Sequence, residues 1–151
     1  MDIGFIGVGS MGRAIIPRLI GAGHHVSAWN RSPQALASLE GVSVLDEPTA
    51  AFQRAVVISM LADDRAARQV LLSSDALSAA TEGCIHIVMS TLSPALIEQL
   101  RERHEQAGIG FVAAPVFGIP AVAARGEMNI LAAGPAAAID RVQPLFDVLG
   151  K

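Results

Sequence analysis

The first twelve residues, Met-Asp-Ile-Gly-Phe-Ile-Gly-Val-Gly-Ser-Met-Gly, run a short apolar segment straight into three glycines spaced Gly7-x-Gly9-x-x-Gly12. Apolar helical periodicity resumes at once with Ile15, Ile16, Leu19 and Ile20. A strand that ends in this turn and reopens as a helix commits the chain to a strand–turn–helix unit. Each glycine has its own physical task. Gly7 permits the tight turn, Gly9 lets a diphosphate approach the backbone, and Gly12 lets the helix pack close to the strand. The helix start then offers unpaired N–H groups and the positive end of its dipole.

The rest of the chain repeats the strand–helix alternation, which predicts an α/β fold: a doubly wound, mostly parallel sheet with helices on both faces. Strands are expected at Ile3–Ile6, His25–Trp29, Val42–Leu45, Val56–Met60, Ile85–Met89, Gly110–Ala113 and Met128–Ala132. Val56–Met60 is apolar almost throughout and should be central. Helices are expected at Ser10–Ala22, Pro33–Leu39 with Ser32 as cap, Thr49–Gln53, Asp64–Leu72, Asp75–Ala80, Pro94–Ala107 with Ser93 as cap, and Pro135–Leu149. Pro17 should distort the first of these, because it has no N–H to donate. At 151 residues and 52% hydrophobic, the chain is the size of one domain with a sizeable core, read as a single unit over 1–151.

Ligands of such sheets bind beyond the carboxyl ends of the strands, where the strand order reverses. The end of the second strand therefore matters most. NAD readers place an acid there, about 20 residues past the glycines, to hold the ribose 2′-hydroxyl. This chain has Asn30-Arg31-Ser32. Asn30 does not repel a 2′-phosphate, Arg31 presents a planar fork of donors suited to one, and Ser32 adds a hydroxyl. NADP is the expected cofactor; the alternative is that Arg31 is an ordinary solvated residue and NAD binds. A methyltransferase using S-adenosylmethionine shares the glycine-rich loop but usually wants an acid at residue 30 or 31.

Two more loops reach the same edge: Met60-Leu61-Ala62-Asp63-Asp64 and Ser90-Thr91-Leu92-Ser93-Pro94. Ser90 and Thr91 can bond a ribose or a substrate oxygen, or can be purely structural, and spacing alone does not separate the two. Ser93 and Asp64 are read as helix caps. Hydride transfer to a carbonyl needs a general acid within about 3 Å of the developing alkoxide. His24 and His25 sit at the wrong end of the second strand, His86 lies early in the fifth, and His104 is expected on a helix surface. No catalytic residue and no metal-ligand set is assigned. The chain has no tyrosine, which excludes a tyrosine-dependent reductase mechanism. The net charge of −3, without a basic cluster, gives no footprint for nucleic acid. Apolar runs stay short of the roughly 18 residues that a membrane span needs. Cys84 is a lone cysteine beside an apolar strand and is read as inert packing. The protein is expected to be soluble and cytoplasmic, with a small-molecule substrate.

Together the motifs resemble the amino-terminal domain of the β-hydroxyacid dehydrogenase family. That family includes 3-hydroxyisobutyrate dehydrogenase and, more distantly, 6-phosphogluconate dehydrogenase, and imine reductases share its architecture. The resemblance is carried by Gly7-Val-Gly9-Ser-Met11-Gly12, Gly23-His24 with Trp29-Asn30-Arg31-Ser32, Met89-Ser90-Thr91-Leu-Ser93-Pro94, and Ala114-Pro115-Val116-Phe117-Gly118. It implies that Gly9, Ser10, Met11 and Gly12 hold the pyrophosphate and that Asn30, Arg31 and Ser32 hold the 2′-phosphate. It also places Leu61, Ala62 and Thr91 along the nicotinamide ribose, and Gly118, with Phe117 and Ser90, toward the substrate.

Where the family has Ser-Gly-Gly to grip a carboxylate, this chain has Phe117-Gly118-Ile119, and Val88 replaces the family's aspartate before Met-Ser-Thr. The departures point to a less polar substrate, such as an imine or a bulkier carbonyl compound. The family's carboxy-terminal helical domain, which supplies its catalytic lysine, is not matched here; the sole lysine, Lys151, does not take that role. The expected function is the NADP(H)-binding domain of an oxidoreductase acting on a carbonyl, hydroxy-acid or imine substrate. The alternative is a non-catalytic NADP-binding sensor or partner subunit. Val116, Phe117, Ile119 and Val122 are expected to be exposed, with disorder or self-association into a homo-oligomer around Pro115–Ala124.

Overall fold

A computed structural model describes residues 1–73 and 75–151. Six parallel strands form the main sheet: β1 (Asp2–Ile6), β2 (His25–Trp29), β3 (Val42–Val44), β4 (Val56–Ser59), β5 (Ile85–Val88) and β6 (Gly110–Ala113). They stand in the order β3-β2-β1-β4-β5-β6. The chain winds outward from β1 in one direction and from β4 in the other, so the order reverses between these two strands. They pair in register from Ile3↔Val56 to Ile6↔Ser59.

Alternation along the strands builds a core layer on each face. Ile3, Phe5, Ile58 and Ile87 pack with Ile15, Ile16 and Leu19 of α1 (Ser10–Gly21). Ile6, Val57 and Val88 pack on the other side, against Ala67 of α2 (Asp64–Ala67) and Leu96 and Leu100 of α3 (Pro94–Ala107). Both faces are covered, so β4 and β5 are buried at every position. Gly4 shows why a strand needs a glycine there. A Cβ on it would lie 2.3 Å from the Ala51 carbonyl oxygen, where the 3₁₀ turn Pro48–Gln53 crosses the sheet.

Helix α1 runs unbroken through Pro17, whose missing N–H costs one bond without ending the helix. The segment expected as one helix over 64–72 is α2 followed by a π-helical turn at Arg68–Leu72. The expected seventh strand does not join the main sheet. Instead β7 (Val116–Phe117) pairs antiparallel with β8 (Asn129–Ile130), with α4 (Pro120–Arg125) between them. Val116 and Val122 pack against the core, so the segment 115–124 is ordered rather than disordered; Phe117 and Ile119 remain exposed. Helix α5 (Ala136–Leu149) closes the α1 face through Val142, Leu145 and Leu149. No helix among the described residues is long and apolar enough to cross a membrane.

Candidate functional site

At the carboxyl ends of β1 and β4 the structure holds a crevice of about 450 Å³. Gly7 makes its floor. With φ of +95° it turns the chain out of β1, and a Cβ there would lie 2.3 Å from the Met60 carbonyl oxygen. Gly12 lets α1 lie against this turn, since a Cβ on it would come 2.6 Å from the Gly7 carbonyl oxygen. Gly9 is different: a Cβ would meet nothing within 4 Å, so the space above it is open. Arg13 is the first residue of α1 whose N–H finds a helical acceptor, the Gly9 carbonyl at 3.0 Å. The N–H groups of Ser10, Met11 and Gly12 precede it, where a helix has no internal acceptors. The first turn carries no acid and no side-chain cap. Open space over Gly9, free donors and a positive dipole end suit an anionic group such as a diphosphate.

Asn30 joins the glycine turn to the end of β2. Its Oδ1 accepts the Val8 N–H at 2.8 Å, and its Nδ2 donates to the Ser32 carbonyl at 3.0 Å. The second bond requires an amide, because a carboxylate has no proton to donate. Arg31 is exposed and has no hydrogen-bond or ion-pair partner among the described residues. Ser32 precedes the 3₁₀ turn Pro33–Leu36, but its hydroxyl makes no capping bond, so the expected cap role is not observed. Arg31 and Ser32 both line the crevice, and among the described residues no aspartate or glutamate does.

The opposite wall comes from the loops after β4 and β5. Leu61, Ala62 and Thr91 line the crevice there. Ser90 does not: it is buried, and its Oγ accepts the Leu61 N–H at 2.7 Å. The structure therefore gives Ser90 a loop-holding bond in place of an open face. Asp63, not Asp64, caps α2, accepting the Ala66 N–H at 2.8 Å. Asp64 instead accepts the N–H and the hydroxyl of Ser93, at 2.9 and 2.5 Å. These bonds, the hydroxyl's first, hold its carboxyl below the usual range. Ser93 does cap α3 through the Leu96 N–H.

Every cofactor residue expected from sequence (Gly7, Gly9, Ser10, Met11, Gly12, Asn30, Arg31, Ser32, Leu61, Ala62, Thr91) lines this one crevice; Phe117 and Gly118 lie outside it. Trp29, Ala66, Gln69 and Val70 line it as well and were not anticipated. The i, i+3, i+4 spacing of Ala66, Gln69 and Val70 was the available signal. His104 is fully buried rather than superficial, and burial lowers its pKa to about 4. No described group of three or more His, Cys, Asp or Glu could hold a metal. Burial raises the pKa of Cys84 to about 11, so it packs as a thiol.

Comparison with known proteins agrees with this fold. The family model described as the NAD binding domain of 6-phosphogluconate dehydrogenase matches residues 2–151. An uncharacterized oxidoreductase of Bacillus subtilis is 39% identical over 100% of this chain and 54% of its own length. The solved 3-hydroxyisobutyrate dehydrogenase of Mycobacterium tuberculosis, with L-serine, superposes with a TM-score of 0.92. It is 28% identical, with 99% of this chain and 52% of that one covered. The structure described as Psf3 in complex with NADP+ and 2-OPP has a TM-score of 0.93 and 27% identity, covering 98% and 54%. The chain spans about half the length of the proteins it matches.

Proposed function

The chain belongs to the family of the 6-phosphogluconate dehydrogenase NAD binding domain, and from that membership we propose that it is the NADP(H)-binding domain of an oxidoreductase acting on a small carbonyl, hydroxy-acid or imine compound. One observation carries the choice of NADP. The end of β2 presents an amide, fixed by its own two hydrogen bonds, and beside it an unpartnered guanidinium. A 2′-phosphate meets no negative side chain there and one planar set of donors.

When bound, the nicotinamide group supplies the hydride chemistry. The chain's own residues bind and orient it. The N–H groups of Ser10, Met11 and Gly12 receive the diphosphate, Arg31 and Ser32 the 2′-phosphate, and Leu61, Ala62 and Thr91 bound the other end. Phe117 and Ile119, both exposed, present an apolar wall near the expected substrate side and suit an imine or bulkier carbonyl compound better than a small carboxylate.

The test is Arg31→Ala with NADPH and NADH titrated in parallel. NADPH affinity should fall by about tenfold to a hundredfold, as for a lost charged hydrogen bond, while NADH changes little. Equal losses would remove the NADP assignment. A second reading, a binding module without turnover, is favoured by the lining of the crevice, in which Arg31 is the only ionisable side chain among the described residues. Assaying the chain with NADPH against aldehydes, 2-ketoacids and imines separates the two.

A further inference from the structure

We propose that Asp64 is a positioning residue that fixes the nicotinamide-side wall of the crevice by clamping the loop after β5 to the loop after β4. The proposal rests on the cofactor reading above.

Two stretches of four residues, 61–64 and 90–93, lie side by side and are joined at both ends. At one end the Leu61 N–H donates to Ser90 Oγ at 2.7 Å. At the other, the Ser93 N–H and hydroxyl donate to the two oxygens of Asp64 at 2.9 and 2.5 Å. Ala62 and Thr91 lie between these rungs, and both line the crevice. The Asp64 carboxylate is not needed to start α2, because Asp63 already takes the capping bond from Ala66. It is held ionised by the bonds from Ser93, so the clamp is a charge-assisted one. Ser93 passes the constraint onward, since its Oγ also accepts the Leu96 N–H and fixes the start of α3. A wall held in place before a ligand arrives does not have to be ordered by it, and that saving appears as affinity. Neither rung touches Asn30, Arg31 or Ser32, so the effect is confined to one end of the dinucleotide.

This confinement makes the test selective. Binding of NADPH and of adenosine 2′,5′-bisphosphate, which reaches only the adenosine side, is measured for the unaltered chain and for Asp64→Ala, Ser93→Ala and the double variant. Asp64→Ala should weaken NADPH about tenfold while the bisphosphate is unchanged. Ser93→Ala, which loses the hydroxyl bond but keeps the N–H one, should weaken NADPH less, and the double variant should be no worse than Asp64→Ala, which already removes both bonds. Asp64→Asn keeps an acceptor for the Ser93 N–H and should lose less; it also serves if Asp64→Ala folds poorly. Equal weakening of both ligands, or no weakening of either, would overturn the positioning role. If the unaltered chain bound neither ligand, the cofactor reading itself would fail and the positioning role with it.

Discussion

Under the proposed NADP reading, Asn30 and Arg31 divide between them what one acidic residue does in an NAD reader. Asn30 ties the glycine turn to the end of β2 through Val8 and Ser32, and the proposal leaves the ligand's 2′-phosphate to Arg31. An aspartate at position 30 would still accept the Val8 N–H, but it would lose the bond to Ser32 and set a negative charge beside the 2′-phosphate. Asn30→Asp should therefore weaken NADPH by at least about tenfold, since juxtaposed like charges cost several kcal/mol, and should leave NADH equal or tighter; parallel titrations check this. The glycines separate fold from binding in the same way. Gly9 faces open space, so Gly9→Ala should keep its melting temperature and lose NADPH binding. Gly7 has φ of +95° and a carbonyl 2.3 Å from any Cβ. Gly7→Ala should destabilise the chain by about 2 kcal/mol or more. Thermal melts of the two variants distinguish the roles. The three glycines and Asn30-Arg31-Ser32 were legible in the sequence because their spacing is local. Asp64 was misread as a cap, because Asp63 beside it is chemically equivalent and only the position of Ser93 separates them.

Strands buried on both faces explain why β4 and β5 read as apolar runs, with Ser59 and His86 as their polar exceptions. The structure satisfies both. The Leu100 carbonyl can only accept, so His104 Nδ1 donates to it at 2.6 Å and His104 Nε2 becomes an acceptor. His86 Nδ1 then donates to His104 at 2.7 Å, and His86 Nε2 accepts the Ser59 hydroxyl at 2.9 Å. Two neutral rings thus tie α3, β5 and β4 together, and no buried side-chain N or O among the described residues is left without a partner. Phe52 and Phe111 pack edge-on or tilted against the two rings at 5.1 and 4.8 Å. Ile58→Ala, which opens a cavity on the opposite face of β4, should cost about 2–5 kcal/mol in urea unfolding while Kd for NADPH stays nearly constant. Element order was readable from period and turn chemistry. The His86–His104 pair was not, because 18 residues of chain separate partners that only the docking of α3 brings together.

At the scale of the whole molecule, the buried histidine pair sets how stability responds to acid. Burial lowers both pKa values, that of His104 to about 4, while an unfolded histidine titrates near 6.5. The unfolded chain therefore binds more protons in between. Stability should be full above about pH 6.5 and should fall by about 1.4 kcal/mol per pH unit for each histidine as pH drops toward 4. Urea midpoints measured from pH 7 to pH 4.5 test this, and a flat profile would contradict it. The surface makes a second prediction. Phe117, Ile119 and Leu131 are 57%, 63% and 59% exposed, and such apolar surface favours self-association. Light scattering of the chain should show a homo-oligomer that the variant Phe117→Ser, Ile119→Ser dissociates. The sequence by itself determined the winding of the sheet, the glycine turn and the amide at the end of β2, because each is written in neighbouring residues through period, conformational freedom or charge. Tertiary structure alone decided that β7 and β8 pair apart from the main sheet, that two histidines satisfy each other in the core, and that Asp64 reaches Ser93. These contacts join positions 12 to 29 residues apart, and which partner a polar group finds there depends on how the helices dock, not on its own stretch of chain.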